Sequence, residues 1–246
     1  WATFVGITGQ LLMASDQMDS LPEERVELLR RLYPVADIRP MDLYPYHGAR
    51  PRIYDLKIAK PGVGEWDVVA LFNWELGTDP IMHLNPVWLG LPEGTYIYYD
   101  VWQKQLLGLK RGTFPIDVSA HSCRLISIRP FTGEPQLIGT SRHITQGADD
   151  LEAAVWDRDH GVWTGKSRVV GGDPYELRFL VPPGWAVSTP GCRREGALVV
   201  LTLHAPENQT MPWHITFARE QPRAESASIA ATQSRSGENV DLQWSA

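Results

Sequence analysis

The residues with most chemical promise are one acid at the end of an apolar run, a group of tryptophans and a scatter of histidines. Asp16 follows Leu11-Leu12-Met13-Ala14 and Ser15. If that run is the last strand of a β/α barrel, Asp16 stands at its C-terminal end, where barrel enzymes carry their active sites. If it is not, Asp16 opens a loop and caps local backbone N–H groups. Trp156, Trp163 and Trp185 fall close together in sequence, with Tyr175 among them. Aromatic faces at that density suit stacking on the C–H surfaces of a sugar, and they are equally the usual filling of a sandwich core. The 7 histidines never fall at His-x-His or His-x-x-x-His spacing, so the pattern offers no metal centre. No Gly-x-Ser-x-Gly elbow is present. Asp157-Arg158-Asp159-His160-Gly161 opens like a calcium loop, but Arg168 stands where that loop needs its bidentate Glu. A hairpin turn between Trp156 and Trp163 is the expectation there. Gly62-Val63-Gly64 lacks the third glycine and the strand–helix setting of a dinucleotide loop. No cofactor and no metal is expected. Asn208-Gln209-Thr210 has the form of a glycosylation sequon.

Composition narrows the partners. The chain has 246 residues, 43% hydrophobic and 21% charged, enough for one large domain or two small ones. A net charge of −6 with no basic run disfavours nucleic acid and anionic membranes. No apolar stretch approaches the roughly 20 residues that span a bilayer. Cys123 and Cys192 make no disulfide framework; they can pair, and two separate buried thiols are the favoured reading. Ten tryptophans, 19 prolines and 21 glycines describe short strands joined by many turns.

Elements divide the chain unevenly. Trp1 to Gly9 is apolar without a basic flank and reads as a buried helix broken by Gly9, in a chain that starts inside a larger fold. Leu11–Ala14 reads as a strand of a parallel sheet, with a helix as the alternative. Ser20 with Glu23 has capping-box spacing, Pro22 suits the first turn, and Val26, Leu29 and Tyr33, widened by Leu28 and Leu32, form a helical stripe that Pro34 closes. After Pro40 the runs are β-like: 68–74, 95–102 and 123–128, then 137–138, 153–156, 175–181, 197–203 and 213–217. Turn clusters separate them, at the spacing of an antiparallel sandwich. The expected organisation is 1–46 as the end of a (β/α)8 barrel, 47–130 as a β-sandwich, 131–220 as further sandwich strands or a second unit, and 221–246 as a polar tail. The fold class is therefore mainly β, an antiparallel β-sandwich region preceded by the last strand and helix of a barrel.

Several motifs together resemble one family. Gln10-Leu11-Leu12-Met13-Ala14-Ser15-Asp16-Gln17-Met18, followed by Leu21-Pro22-Glu23-Glu24-Arg25, is similar to the end of the catalytic barrel in the α-galactosidase clan of glycoside hydrolases. Val35-Ala36-Asp37-Ile38-Arg39-Pro40-Met41-Asp42-Leu43 resembles the barrel exit of bacterial members. Leu71-Phe72-Asn73-Trp74, Tyr99-Asp100-Val101-Trp102, Leu106-Leu107-Gly108 and His121-Ser122-Cys123-Arg124-Leu125 resemble the C-terminal β domain, and Gln136 to Gly147 looks like a segment of the branch related to raffinose synthases. The resemblance implies a retaining exo-α-glycosidase acting on an α-linked oligosaccharide or glycoside with two carboxylates, a nucleophile and an acid/base. In the family both precede the position matching Trp1, and nothing here matches the nucleophile's Lys-x-Asp context. The catalytic residues are thus expected on an upstream barrel, in the same polypeptide or another chain. No residue of this chain inherits a catalytic role, and Asp16 inherits proximity to the cleft. The alternative is a non-catalytic carbohydrate-binding or structural β module that presents Trp156, Trp163 and Trp185.

Overall fold

A computed structural model describes residues 1–15, 17–43, 52–76 and 80–220. Asp16 and the 221–246 tail lie outside the described residues. The chain is mainly β, and its sheets are antiparallel.

Two short helices lead. α1 (Ala2–Thr8) ends at Gly9, whose φ of 63° is left-handed and whose N–H closes on Val5 O. Gly6 lets α1 press flat on its neighbours: a methyl there would stand 2.5 Å from the side chain of Leu32 and 2.6 Å from that of Ile144. α2 (Glu23–Arg30) starts after Pro22. Ser20 turns its hydroxyl back to Gln17 O instead of capping the helix. Of the expected stripe only Leu32, just past the helix end, is fully buried. Leu11–Ala14 pairs with no strand among the described residues. A strand is completed by the ladder partner it bonds to, and among the described residues Leu11–Ala14 has none.

The first sheet has six strands: β1 (Met41–Leu43), β2 (Ile53–Lys60), β3 (Gly64–Asn73), β8 (Ser122–Pro130), β5 (Thr95–Asp100) and β6 (Gln105–Arg111), in that spatial order. A ribbon of β4 (Ile81–Leu84) and β7 (Phe114–Asp117) covers one face, enclosing Val69, Leu71, Tyr98, Phe114, Ile116 and Ile126. The opposite face, with Val68, Ala70, Ile97 and Leu125, is covered by Ile7 of α1 and by Leu180, Leu198 and Val200 from later in the chain. Burial on both faces explains why 68–72 is apolar without alternation.

Two four-stranded sheets follow. One joins β10 (Leu151–Asp157), β11 (Val162–Val169), β16 (Gln209–Arg219) and β13 (Trp185–Val187); the other joins β14 (Arg193–Glu195), β15 (Leu198–Leu203), β12 (Tyr175–Leu180) and β9 (Gln136–Thr140). Leu177, Phe179, Val199, Trp213, Ile215 and Phe217 fill the space between them. Along β12 the residues alternate: Tyr175, Leu177 and Phe179 join that filling, while Leu180 joins the core of the first sheet. Arg178, on the same face as Leu180, places its guanidinium 5.3 Å from the ring centre of Tyr99. At Gly165 any side chain would strike Trp213. Both cysteines are free and half-buried. Among the described residues no helix is long and apolar enough to cross a membrane.

Candidate functional site

The three tryptophans do meet. Trp156 lies 5.7 Å from Trp163 and 6.0 Å from Trp185, centre to centre. The expected hairpin forms, with Trp156 opposite Trp163 and Asp157 accepting from the N–H groups of Asp159 and His160 at 3.1 Å each. The Trp156 indole N–H donates to Glu134 Oε2 at 3.0 Å and that of Trp163 to Pro135 O at 2.8 Å, so these rings staple the 134–135 loop to the sandwich. Trp185 is 5% exposed and the Arg219 guanidinium stacks 4.1 Å from its ring centre. Trp185 therefore has no free face for a sugar, a correction to the stacking expectation: it is core. Trp156 and Trp163 remain half-buried.

Carboxylates with shifted acidity sit elsewhere. Asp55 and Lys57 lie on one face of β2, and the register sets Lys57 opposite Asp67 of β3. The Lys57 ammonium is 3.0 Å from Asp55 Oδ2 and 2.8 Å from Asp67 Oδ2. Burial, then the neighbouring Asp67 charge, pushes Asp55 up to about 6. Burial likewise raises Asp67. Both side chains are almost wholly enclosed, 0% and 6% exposed, so no glycoside reaches them. Asp150 is raised by burial as well, accepts the Tyr175 hydroxyl at 2.6 Å and is equally enclosed. These acids belong to the interior, and none takes the place of a catalytic pair flanking a cleft. Among the described residues no cluster of His, Cys, Asp and Glu could hold a metal ion.

The segment between β9 and β10 is the least ordinary part of the molecule. It is irregular, yet residues 143 to 147 are all buried, and buried irregular backbone must find partners for its polar groups. Here distant side chains supply them. The Trp66 indole donates to Thr145 O at 2.9 Å, Arg129 donates to Gln146 O and Ile138 O at 3.1 Å each, and Lys60 donates to Ala148 O. Arg129 stacks 4.1 Å from the ring centre of Trp66, and burial pulls its guanidinium down to about 9. His143 bonds the Thr145 hydroxyl at 2.8 Å, and burial lowers its pKa, favouring the neutral ring. Beside this segment a cavity of about 210 Å3 opens between α2, the β5–β6 turn and β12.

No protein-family profile and no curated protein sequence matches the chain. Among solved structures it is similar to a family 27 β-L-arabinopyranosidase from Geobacillus stearothermophilus, at 20% identity over 54% of this chain and 30% of that one, with a TM-score of 0.44. It is also similar to an isomalto-dextranase from Arthrobacter globiformis, complexed with panose, at 14% identity over 87% of this chain and 42% of that one, with a TM-score of 0.39. The chain spans less than half the length of either enzyme. Likeness of this degree assigns neither family nor reaction.

Proposed function

We propose that this chain is the C-terminal β portion of a retaining exo-α-glycosidase of the α-galactosidase type, with the catalytic carboxylates on a barrel upstream of it. The observation that carries the reading is the surface of the N-terminal segment. Trp1 is 88% exposed, Leu11 80%, Met13 75% and Met18 50%. Large apolar side chains gathered in one short segment mark a surface built to be covered. Among the described residues Leu11–Ala14, in the same segment, pairs with no strand, and the Tyr33 hydroxyl touches Leu12 O at 3.5 Å. A barrel would supply both the missing strand neighbours and the cover. The motifs from Gln10 to Arg25 and from Leu71 to Trp102 support the same reading, with an α-linked oligosaccharide as substrate and Asp16 beside the cleft.

The test is hydrolysis of an aryl α-galactoside by this chain, by an upstream barrel expressed separately, and by the two together. Activity only in the mixture or in the joined polypeptide is expected. Robust hydrolysis by this chain alone overturns the proposal. Trp156 and Trp163, half-buried side by side, favour the non-catalytic module as a second reading. Glycan binding that survives removal of residues 1–46 and is abolished by Trp163→Ala would select it.

A further inference from the structure

We infer that the open pocket between β11, the start of β16 and the segment joining β9 to β10 is a binding site for a small hydroxylated monocarboxylate, the size of a sugar acid. Its polar wall is Arg142, Asp149, Arg168, Asn208, Gln209 and Thr210. Arg142 and Asp149 are half-buried and the other four are exposed, so all are within reach of a ligand. The ladder fixes where several of them stand: Arg168 lies opposite Thr210 and Val169 opposite Gln209. Asn208 Oδ1 accepts the Gly171 N–H at 2.9 Å, which ties the turn before β16 to the chain leaving β11. Groups placed by a ladder and a turn bond make a largely pre-formed site.

Charge selects an anion. Arg142 donates to Arg30 O at 2.9 Å and Arg168 donates to Asp149 O, both backbone carbonyls. Among the described residues neither guanidinium has an ion-pair partner. Each carries five N–H donors, so most of them remain for a ligand. The arginines of the cavity beside α2 differ: Arg31 is held by Glu27 and Asp173, and Arg178 by Glu176. Asp150 also borders the pocket, but it is 2% exposed, accepts the Tyr175 hydroxyl at 2.6 Å and has its carboxyl raised by burial, so it serves the interior. The accessible wall therefore sets two cations against the single carboxylate of Asp149. One negative charge balances it, and a second would meet Asp149. A planar guanidinium matches a carboxylate in shape as well as in charge.

The remaining polar groups suit hydroxyls. The Asp149 carboxylate, half-buried and without a partner among the described residues, can only accept, and a ligand hydroxyl can donate to it. With its Oδ1 taken by Gly171, Asn208 has its amide NH2 left to donate to a ligand oxygen. Gln209 offers both kinds of group. The apolar part of the wall is Pro34, Val169 and Val170, with no aromatic ring. Recognition here must therefore rest on polar contacts and charge, not on stacking. The volume, about 390 Å3, lies in the range of roughly 300–1,000 Å3 that holds small organic ligands, and it has room for a pyranose ring with its carboxylate. None of these observations depends on the glycosidase reading, and the ligand proposed here is separate from any substrate held by a barrel.

The experiment is a chemical-shift titration of the nitrogen-15-labelled full chain with galacturonate, glucuronate, methyl α-galactoside and acetate. The galactoside keeps the hydroxyls and loses the charge; acetate keeps the charge and loses the hydroxyls. Saturable binding of at least one sugar acid is expected, with a dissociation constant on the order of 1 mM, typical of so small an interface. The galactoside and acetate should each bind at least about fivefold more weakly, and raising salt from about 20 to about 200 mM should weaken binding of the acid. Arg142→Gln and Arg168→Gln should each weaken the acid at least about fivefold. Arg194→Gln, at an exposed arginine of β14 outside the pocket, should not change it. If an arginine variant loses its native spectrum, Asp149→Asn carries the same reading: with the opposing charge gone, acetate should bind about threefold more tightly or better. Neither acid binding into the tens of millimolar overturns the inference, as does equal binding of the galactoside or of acetate, binding indifferent to either arginine variant, or acetate indifferent to Asp149→Asn. Failure here leaves the barrel proposal standing, because hydrolysis by the joined halves decides that one.

Discussion

Asp55→Asn should make the protein more stable at neutral pH and change little in acid. Asp55 is wholly buried beside Asp67, with one lysine between them, and its carboxyl is raised from 3.8 to about 6. Every tenfold gain in proton affinity is worth about 1.4 kcal/mol between the two protonation states. A carboxyl raised that far therefore costs the folded protein about 3 kcal/mol once Asp55 is ionised. In the window from about 4 to 6 the folded state holds more of this proton than the unfolded state. Stability is thus fully retained below the unfolded value and lost as pH rises through the folded one. Asparagine keeps the shape, carries no charge and leaves the Lys57–Asp67 pair in place. Its amide must still find partners, so the net gain expected at about pH 8 is roughly 1–3 kcal/mol, shrinking towards zero at about pH 4. Urea unfolding of both proteins across that range measures the difference, and carboxylates common to both cancel. A variant less stable at pH 8 than its parent refutes the reasoning. It would mean that Lys57 holds Asp55 ionised as a net stabilising buried pair.

Two further substitutions test the interior. Arg129→Met removes the donor from Ile138 O and Gln146 O together with the stack on Trp66; a loss of about 2–4 kcal/mol in urea unfolding is expected. Gly165→Ala drives a methyl into the Trp213 ring across the β11–β16 ladder; about 1–3 kcal/mol of destabilisation is expected, with a shift in tryptophan emission, and an unchanged midpoint would show that Trp213 moves aside freely.

The strands were legible where burial was simple. The runs 68–74, 123–128, 175–181 and 213–217 are apolar or cleanly alternating, and each lies in a central strand or packs against the core. Strand β2 is obscured because Asp55 and Lys57 take the face that Ile53 leads one to expect apolar. Edge strand β6, with its exposed residues, carries little periodic signal. Leu11–Ala14 has a strand's composition without a partner, because pairing is not a local property. Sites were harder to read for the same reason. The Asp55–Lys57–Asp67 cluster depends on the register that sets Lys57 opposite Asp67, and composition does not encode register. The cavity joins residues as distant as Leu28 and Arg178. The tryptophan cluster was visible as a cluster, but whether Trp185 shows a face or hides it follows from Arg219 and the packing around it.

The six-stranded sheet has no solvent face to give up: the ribbon takes one side, α1 and the strands around Leu180, Leu198 and Val200 take the other. The two halves of the chain therefore do not behave as interchangeable parts. Grafting the first half alone into another protein would carry a greasy wall around Ala70, Ile97 and Leu125 into its new host, and the second half alone would present Leu180, Leu198 and Val200 to water. Recombination in evolution or in the laboratory must move them as one piece.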